Sequence, residues 1–170
     1  MTRITGPAMI RLVAAHAALL LLVAITGCQP YTPRPNFPPV RGAAREEIFL
    51  DVPTATRVLS EILEADSLPV TRVEERDGYI ETAWFDATTK APTSARRLGS
   101  DVVRVRAWID PARRGHSWIT LETVYRPLAD PALDQRDLEV QVPPDHPVGK
   151  RMTEVVTELA KLYEPVSSAK

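Results

Sequence analysis

The chain of 170 residues contains one cysteine, seven glycines and three histidines, and each of these scarcities excludes a class of site. A single thiol cannot form an intramolecular disulfide, so the fold must depend on an apolar core. The glycines do not cluster into a phosphate-binding loop, and neither H-E-x-x-H nor G-x-S-x-G occurs. His146 beside Asp145 could supply two metal ligands, but a surface-loop histidine is the simpler interpretation. We therefore expect no enzymatic activity, no metal and no bound cofactor.

The N-terminal segment has the organisation of a secretory signal. Residues 12–25 are apolar apart from one histidine and follow Arg3 and Arg11; a basic start and an apolar centre are typical of such signals. A helix of fourteen residues would extend about 21 Å, whereas the hydrocarbon core of a bilayer is ~30 Å thick. We therefore predict a cleaved signal peptide over residues 1–27 rather than a transmembrane helix. Translation could also begin at Met9.

The only cysteine closes the tetrapeptide Ile25-Thr26-Gly27-Cys28, which resembles the lipobox of bacterial lipoproteins. The resemblance covers residues 1–28. It implies that the Cys28 sulfur receives diacylglycerol, that the signal is cut before Cys28, and that the new amine is acylated as well. Several acyl chains would hold the protein durably to a membrane. An outer-membrane anchor with the domain in the periplasm follows by analogy, because the next residue is not aspartate; the inner membrane stays open.

A proline-rich segment follows this cysteine. Residues 29–44 include five prolines, a density that opposes helix and sheet and favours an extended segment rising about 3.1 Å per residue. We predict that residues 28–45 form a solvated tether that could hold the domain up to about 50 Å from the membrane. Tyr31 and Phe37 lie within it and could contact lipid headgroups or a partner, but a solvated spacer is the favoured interpretation, because proline-rich linkers commonly carry stray aromatic residues.

The remaining composition is that of one domain. Without the signal, 143 residues remain, with 19 basic and 22 acidic residues and a net charge of −3. This length suits a single folded domain over residues 46–164 and a frayed tail at 165–170. Nucleic acid is not expected as a partner, because phosphate binding requires a concentrated positive charge.

Two segments have helical periodicity and several others have the pattern of strands. The predicted helices cover residues 54–65 and 147–163, each with one apolar face. The predicted strands cover residues 68–75, 79–85, 102–109 and 117–125, with a lead-in strand at 46–52 and a possible edge strand at 138–142. Asp77-Gly78 predicts a hairpin between the first two strands. We cannot assign from the pattern which face of strand 79–85 is buried.

The strands at 102–109 and 117–125 alternate clearly enough to predict their pairing. Placing Ile109 opposite Ser117 puts the apolar positions of both strands on the core face. The other face would then carry Arg104, Arg106, Trp108 and Trp118.

These four residues form the candidate interaction face. Trp and Arg predominate at protein interfaces, because they combine apolar area with directed polar contacts. The alternative is that Trp108 and Trp118 pair across the strands, cover the stems of Arg104 and Arg106, and have no further role. An antiparallel sheet can leave such a face in contact with solvent.

Together these elements predict a two-layer α+β domain, with an antiparallel sheet of four to five strands and both helices packed on one face. The helix at 54–65, the hairpin at Asp77-Gly78 and the strand at 80–84 resemble the helix-grip repeats of the lipoprotein C component of the outer-membrane barrel-assembly machinery. The resemblance covers about residues 52–163 and includes one domain where that family has two. It implies a non-catalytic domain that works by protein contact.

The functional prediction combines the anchor with this fold. We expect an envelope lipoprotein, attached to the membrane by its lipid, that binds another envelope protein or supports outer-membrane assembly. The alternative is a small-ligand or lipid carrier that uses a groove between helices and sheet. An apolar cavity between the layers would favour the carrier, whereas a packed interior with exposed Trp108 and Trp118 would favour partner binding.

Overall fold

The structure, a computed structural model, describes residues 33–164. The predictions for the signal peptide, for Cys28 and for the tail at 165–170 lie outside the described residues. In chain order, the elements are β1 (Ala44–Ile48), α1 (Val52–Ala65), β2 (Val70–Glu74), β3 (Tyr79–Thr82), β4 (Phe85–Asp86), β5 (Val102–Pro111), β6 (Ser117–Tyr125), β7 (Val140–Gln141) and α2 (Pro147–Leu162).

The fold is α+β, as predicted. The antiparallel sheet has the order β1-β6-β5-β3-β2, with β4 paired to β5 and β7 paired to β6, and both helices pack on one face. The described sheet has seven strands rather than four to five, for two reasons. The lead-in strand predicted at 46–52 forms at Ala44–Ile48 and joins the sheet by pairing with β6, and the predicted strand at 79–85 is divided into β3 and β4.

The core lies between the helices and this face of the sheet. It contains the apolar stripes of both helices, as their periodicity predicted, packed against inward residues of β3, β5 and β6. Its fully buried members include Leu59, Leu63, Ile80, Val105, Ile109, Leu121, Met152 and Leu159. Burying one such side chain contributes about 1.5–3 kcal/mol, so this interface supplies most of the stabilisation available to a domain without disulfides.

Side chains cap the start of each helix. The Asp51 carboxylate accepts a hydrogen bond from the Thr54 backbone N–H at 3.0 Å, and this bond lowers the pKa of Asp51. His146 caps α2: its Nδ1 accepts from the Gly149 N–H at 3.4 Å, and its Nε2 bonds to the Ser100 carbonyl oxygen at 3.0 Å. His146 is therefore a capping residue rather than a surface-loop histidine, and it ties α2 to the start of β5.

The register between β5 and β6 differs from the predicted register by two residues. Pro111, not Ile109, lies opposite Ser117, so Trp108 pairs with Thr120 and not with Trp118. The strand continues through two residues that the sequence pattern assigns to the turn. Because the shift is by an even number of residues, every side chain stays on the predicted face.

The predicted strand at 79–85 changes face in its middle. Ile80 belongs to the core under the helices, as does Phe85, although the two have opposite parity. The strand is interrupted at Ala83 and Trp84, and this break lets Trp84 join a separate cluster with Val102 on the other face. A strict alternation over this segment is therefore wrong, which explains why the pattern favoured neither face.

Candidate interaction surfaces

The sheet face away from the helices, which we call the outer face, carries the predicted interaction residues but is largely closed. Trp108 is 1% exposed and Arg106 is 3% exposed, while Arg104 and Trp118 are half-buried. The expectation that this face is open to solvent is therefore wrong. The face is covered by chain segments whose sequence gives no sign of packing there: residues 33–40 and the loop at 126–139.

Residues 33–40, which we call the strap, cross the outer face from one end to the other. Arg34 forms an ion pair with Asp110 at 2.8 Å. The Phe37 ring packs edge-on against Trp108 with centroids 6.1 Å apart, and the Val40 N–H donates to the Glu122 carboxylate at 2.7 Å. These residues therefore belong to the folded domain, which corrects the prediction of a solvated tether over residues 28–45 for the part from 33 onward.

Beneath the strap, buried charges converge on Arg106. Its guanidinium donates to Glu81 at 3.0 Å, to Glu122 at 2.8 Å, and to Glu139 at 2.6 and 2.9 Å. Arg136 bonds to Glu122 at 2.7 Å and to Glu139 at 3.0 Å. Together with Arg104, which bonds to Glu81 at 2.9 Å, the group has three carboxylates and three guanidiniums; we call it the Arg106 cluster.

The electrostatics of this cluster keep its central groups ionised. Burial alone would lower the pKa of Arg106, but hydrogen bonds and charges from Glu139, Glu122 and Glu81 outweigh it and raise that pKa. Burial would likewise raise the pKa of Glu139, and the guanidiniums of Arg106 and Arg136 reverse this and lower it. Buried charges that pair with one another in this way suit a structural role.

Guanidinium groups lie over the rings of Phe37, Trp84 and Trp118 on the outer face. Arg136 and Arg106 lie 4.4 and 5.4 Å from the centroid of the Phe37 ring. Two further arginines lie 4.9 Å from the Trp84 ring. Arg45 lies 4.5 Å from the ring of Trp118, which stands opposite Asp110 near the β5–β6 turn.

The structure thus brings together three of the four predicted residues, Arg104, Arg106 and Trp108, while Trp118 stands apart from Trp108. Sequence reasoning missed their partners Glu81 and Glu139, together with Arg136 and Phe37. One signal was available: glutamates occur at outward-facing positions of the strands that neighbour β5. The contribution of Phe37 had no such signal, because a proline-rich segment gives no pattern that fixes where it packs.

The sheet has two ends with different surfaces. At one end, which we call the turn end, lie the β2–β3 turn, the β5–β6 turn, Phe49 and the end of α2. Phe49 is 50% exposed and Leu162 is 73% exposed. The Phe49 ring contacts the His116 ring with centroids 4.9 Å apart. The backbone N–H of Phe49 donates to the Tyr163 carbonyl at 2.9 Å.

At the opposite end, loops that precede β5 and follow β6 carry three exposed leucines. We call residues 94–100 and 127–137 the far-end loops. The Gly99 N–H of the first loop donates a hydrogen bond at 2.8 Å to the carbonyl of Arg126, the residue that precedes the second loop. Leu98, Leu128 and Leu133 are 45–51% exposed. These leucines give no periodic signal in the sequence, because polar and proline residues surround them.

A surface groove of about 550 Å³ lies beside β7 and the first turns of α2. Its lining mixes apolar Val142 and Pro143 with polar Gln141, Lys150 and Glu154. Within residues 33–164, no group of three or more His, Cys, Asp or Glu side chains is arranged to hold a metal ion. The helices of this same part of the chain are all too short or too polar to cross a membrane.

In comparisons with known proteins, the chain matches no protein-family model and no curated protein sequence.

Proposed function

We propose that this protein is a non-catalytic lipoprotein of the cell envelope, anchored in the outer membrane by lipid on Cys28, whose periplasmic domain binds another envelope protein. The observation that carries the anchor is the run Ile25-Thr26-Gly27-Cys28 behind an apolar segment too short to span a bilayer. The Arg106 cluster supports the proposal of a non-catalytic domain, because its buried charges form ion pairs with one another.

The far-end loops are the surface that suits a protein partner. The outer face, where we expected the partner, is occupied by the strap and the loop at 126–139. Leu98, Leu128 and Leu133 instead expose apolar area on the far-end loops, and the acidic residue Asp130 lies between two of these leucines in the sequence. An apolar centre with a polar rim is the composition of protein interfaces.

A carrier function is the second candidate, and the groove beside β7 is the observation in its favour. The support is weaker than for partner binding. The groove lies at the surface with charged Lys150 and Glu154 in its wall, whereas the helix–sheet interface, where a carrier would hold an apolar ligand, is filled by buried side chains such as Leu59 and Leu121.

The anchor is tested by mass spectrometry of the protein purified from membranes of its source organism. The expected result is a chain that begins at Cys28 and carries diacylglycerol and an N-linked acyl group. The Cys28→Ala variant should keep its signal or appear in the soluble fraction. A wild-type chain with a free Cys28 thiol would refute the proposal.

Partner binding is tested by site-specific photo-crosslinking in the same membranes. A photoreactive residue at Leu128 should give a discrete crosslinked product, whereas one at Glu61, on the exposed side of α1, should not. The product should disappear in the double variant Leu98→Glu/Leu133→Glu, whose thermal unfolding should match that of the wild type. A product that persists in this variant would exclude the far-end loops, and a crosslink to extractable lipid would favour the carrier.

A further inference from the structure

We propose that the turn end of the domain lies against the lipid headgroups of the leaflet that holds the anchor. This inference depends on the proposed lipidation of Cys28. It assigns Phe49, Trp118 and Leu162 at the turn end, together with Arg113 and Arg114 of the β5–β6 turn, to a membrane-contact surface.

The first step is the covalent reach between the anchor and the domain. Only five peptide units separate Cys28 from Pro33, where the strap begins. A fully extended chain spans at most about 3.6 Å per residue, so this link reaches at most ~18 Å. This reach is about a third of the ~50 Å expected for a free tether, because the rest of the proline-rich segment packs on the sheet.

The second step is the place where the strap begins. Arg34 is held to Asp110 by an ion pair at 2.8 Å, and it donates to the Asp77 carbonyl at 3.4 Å. Asp110 lies near the end of β5 and Asp77 lies in the β2–β3 turn, so both contacts fix the strap at the turn end. The short link therefore leaves the domain at that end and not beside the far-end loops.

The third step is the length of the sheet. β5 contains ten residues, and a strand rises about 3.3 Å per residue, so the far-end loops lie roughly 33 Å beyond the turn end. A link of ~18 Å keeps the turn end near the bilayer while the leucines of the far-end loops point into the periplasm. In this orientation the turn end faces the membrane and the far-end loops face a protein partner.

The side chains at the turn end suit a headgroup layer. Phe49 and Leu162 are exposed apolar residues, and Trp118 is half-buried under Arg45. Tryptophan and arginine are favoured at membrane interfaces because each combines apolar area with a polar group, and Phe49 and Leu162 add exposed apolar area beside them.

The charge at the turn end is close to balanced. Arg113 pairs with Glu47 at 2.9 Å, Asp110 is occupied by Arg34, and Arg114 is exposed. Attraction to anionic lipid is therefore small, so the lipid anchor supplies the affinity and the turn end supplies the orientation.

The orientation is tested on the mature chain coupled through its single thiol, Cys28, to a maleimide lipid in vesicles of phosphatidylethanolamine and phosphatidylglycerol. An environment-sensitive fluorescent residue replaces Arg114 at the turn end or, as the matched control, Ala129 in the far-end loops; both positions are exposed. Nitroxide headgroup lipids should quench the probe at position 114 at least about threefold more than the probe at position 129. Equal quenching, or stronger quenching at position 129, would overturn the inference.

A second variant tests the role of the strap. Arg34→Ala/Phe37→Ala removes two of its attachments, so a longer part of the chain between Cys28 and β1 is no longer held to the sheet. The ratio of quenching at position 114 to quenching at position 129 should then fall toward one. If this variant loses the cooperative unfolding of the wild type, Arg34→Ala alone is used, with a smaller fall expected; an unchanged difference in the folded variant would contradict the mechanism. Because the lipid is attached chemically, failure of this experiment is distinct from failure of lipidation in cells, which mass spectrometry reports.

Discussion

Replacing Arg106 by methionine tests whether the buried charge cluster organises the outer face. Methionine keeps much of the stem volume and removes the guanidinium that contacts Glu81, Glu122 and Glu139. The side chains of Glu122 and Glu139 are 0% and 4% exposed, so their desolvation is not relieved by water when the guanidinium is lost.

The magnitude follows from the partners that remain. Breaking a buried ion pair by removing one member costs about 3–5 kcal/mol. Here Glu122 and Glu139 keep Arg136 at 2.7 and 3.0 Å, and Glu81 keeps Arg104 at 2.9 Å. We therefore expect a loss at the lower end of that range, about 3 kcal/mol in the free energy of unfolding.

Urea unfolding at pH 7, followed by circular dichroism, measures this loss. With a slope of about 2 kcal/mol per molar urea for a domain of this size, the midpoint of Arg106→Met should fall by roughly 1.5 M. The matched control is Arg57→Met on α1, whose side chain is 53% exposed and pairs with Glu61 at 3.2 Å; it should cost about 0.3–0.5 kcal/mol. A loss within ~1 kcal/mol for Arg106→Met would refute the reasoning.

A double-mutant cycle separates the charge interaction from packing. Glu139→Gln in the wild type leaves Arg106 with one carboxylate fewer, whereas in the Arg106→Met background it removes an excess negative charge. The second substitution should therefore be less destabilising than the first, with a coupling above about 1 kcal/mol, within the range found for contacting residues. Additive losses would show that the charges of Arg106 and Glu139 do not stabilise each other, and would contradict this electrostatic account of the pair.

Three further predictions concern pH, backbone and the strap. Because the pKa of Glu139 is lowered from its usual 4.5, its stabilisation is present above about pH 5 and is lost as the pH falls through the native pKa; Glu139→Gln should therefore flatten the acid limb of a plot of stability against pH. Gly78→Ala should lower the melting temperature more than Gly99→Ala, because both have positive φ but only at Gly78 would the new methyl group meet a backbone carbonyl; equal shifts would contradict this. Phe37→Ala should make tryptophan fluorescence more accessible to acrylamide, because the ring covers Trp108, and unchanged quenching would show that the strap does not shield it.

The sequence patterns predicted the helices, most strands and the face on which each β5 and β6 side chain lies. Periodicity carries this information because a helix or strand buries one side only, and an even register shift leaves faces unchanged. The pairing of Ile109 with Ser117 was wrong because Asp110 and Pro111 are typical turn residues, yet β5 continues through them. The break at Ala83 and Trp84 had no periodic signal either.

By itself, the sequence determined the two-layer α+β class, the amphipathic helices and a lone cysteine in a lipobox-like context, because these follow from local composition and spacing. Tertiary structure alone decided that Arg106 and Trp108 are buried. Their covers, the strap and the loop at 126–139, contain Phe37 and Arg136, which are 71 and 28 residues away in sequence from Trp108. An irregular segment satisfies its polar groups wherever partners of complementary charge and shape exist, and those partners, here Asp110, Glu122 and Glu139, come together only when the sheet has formed.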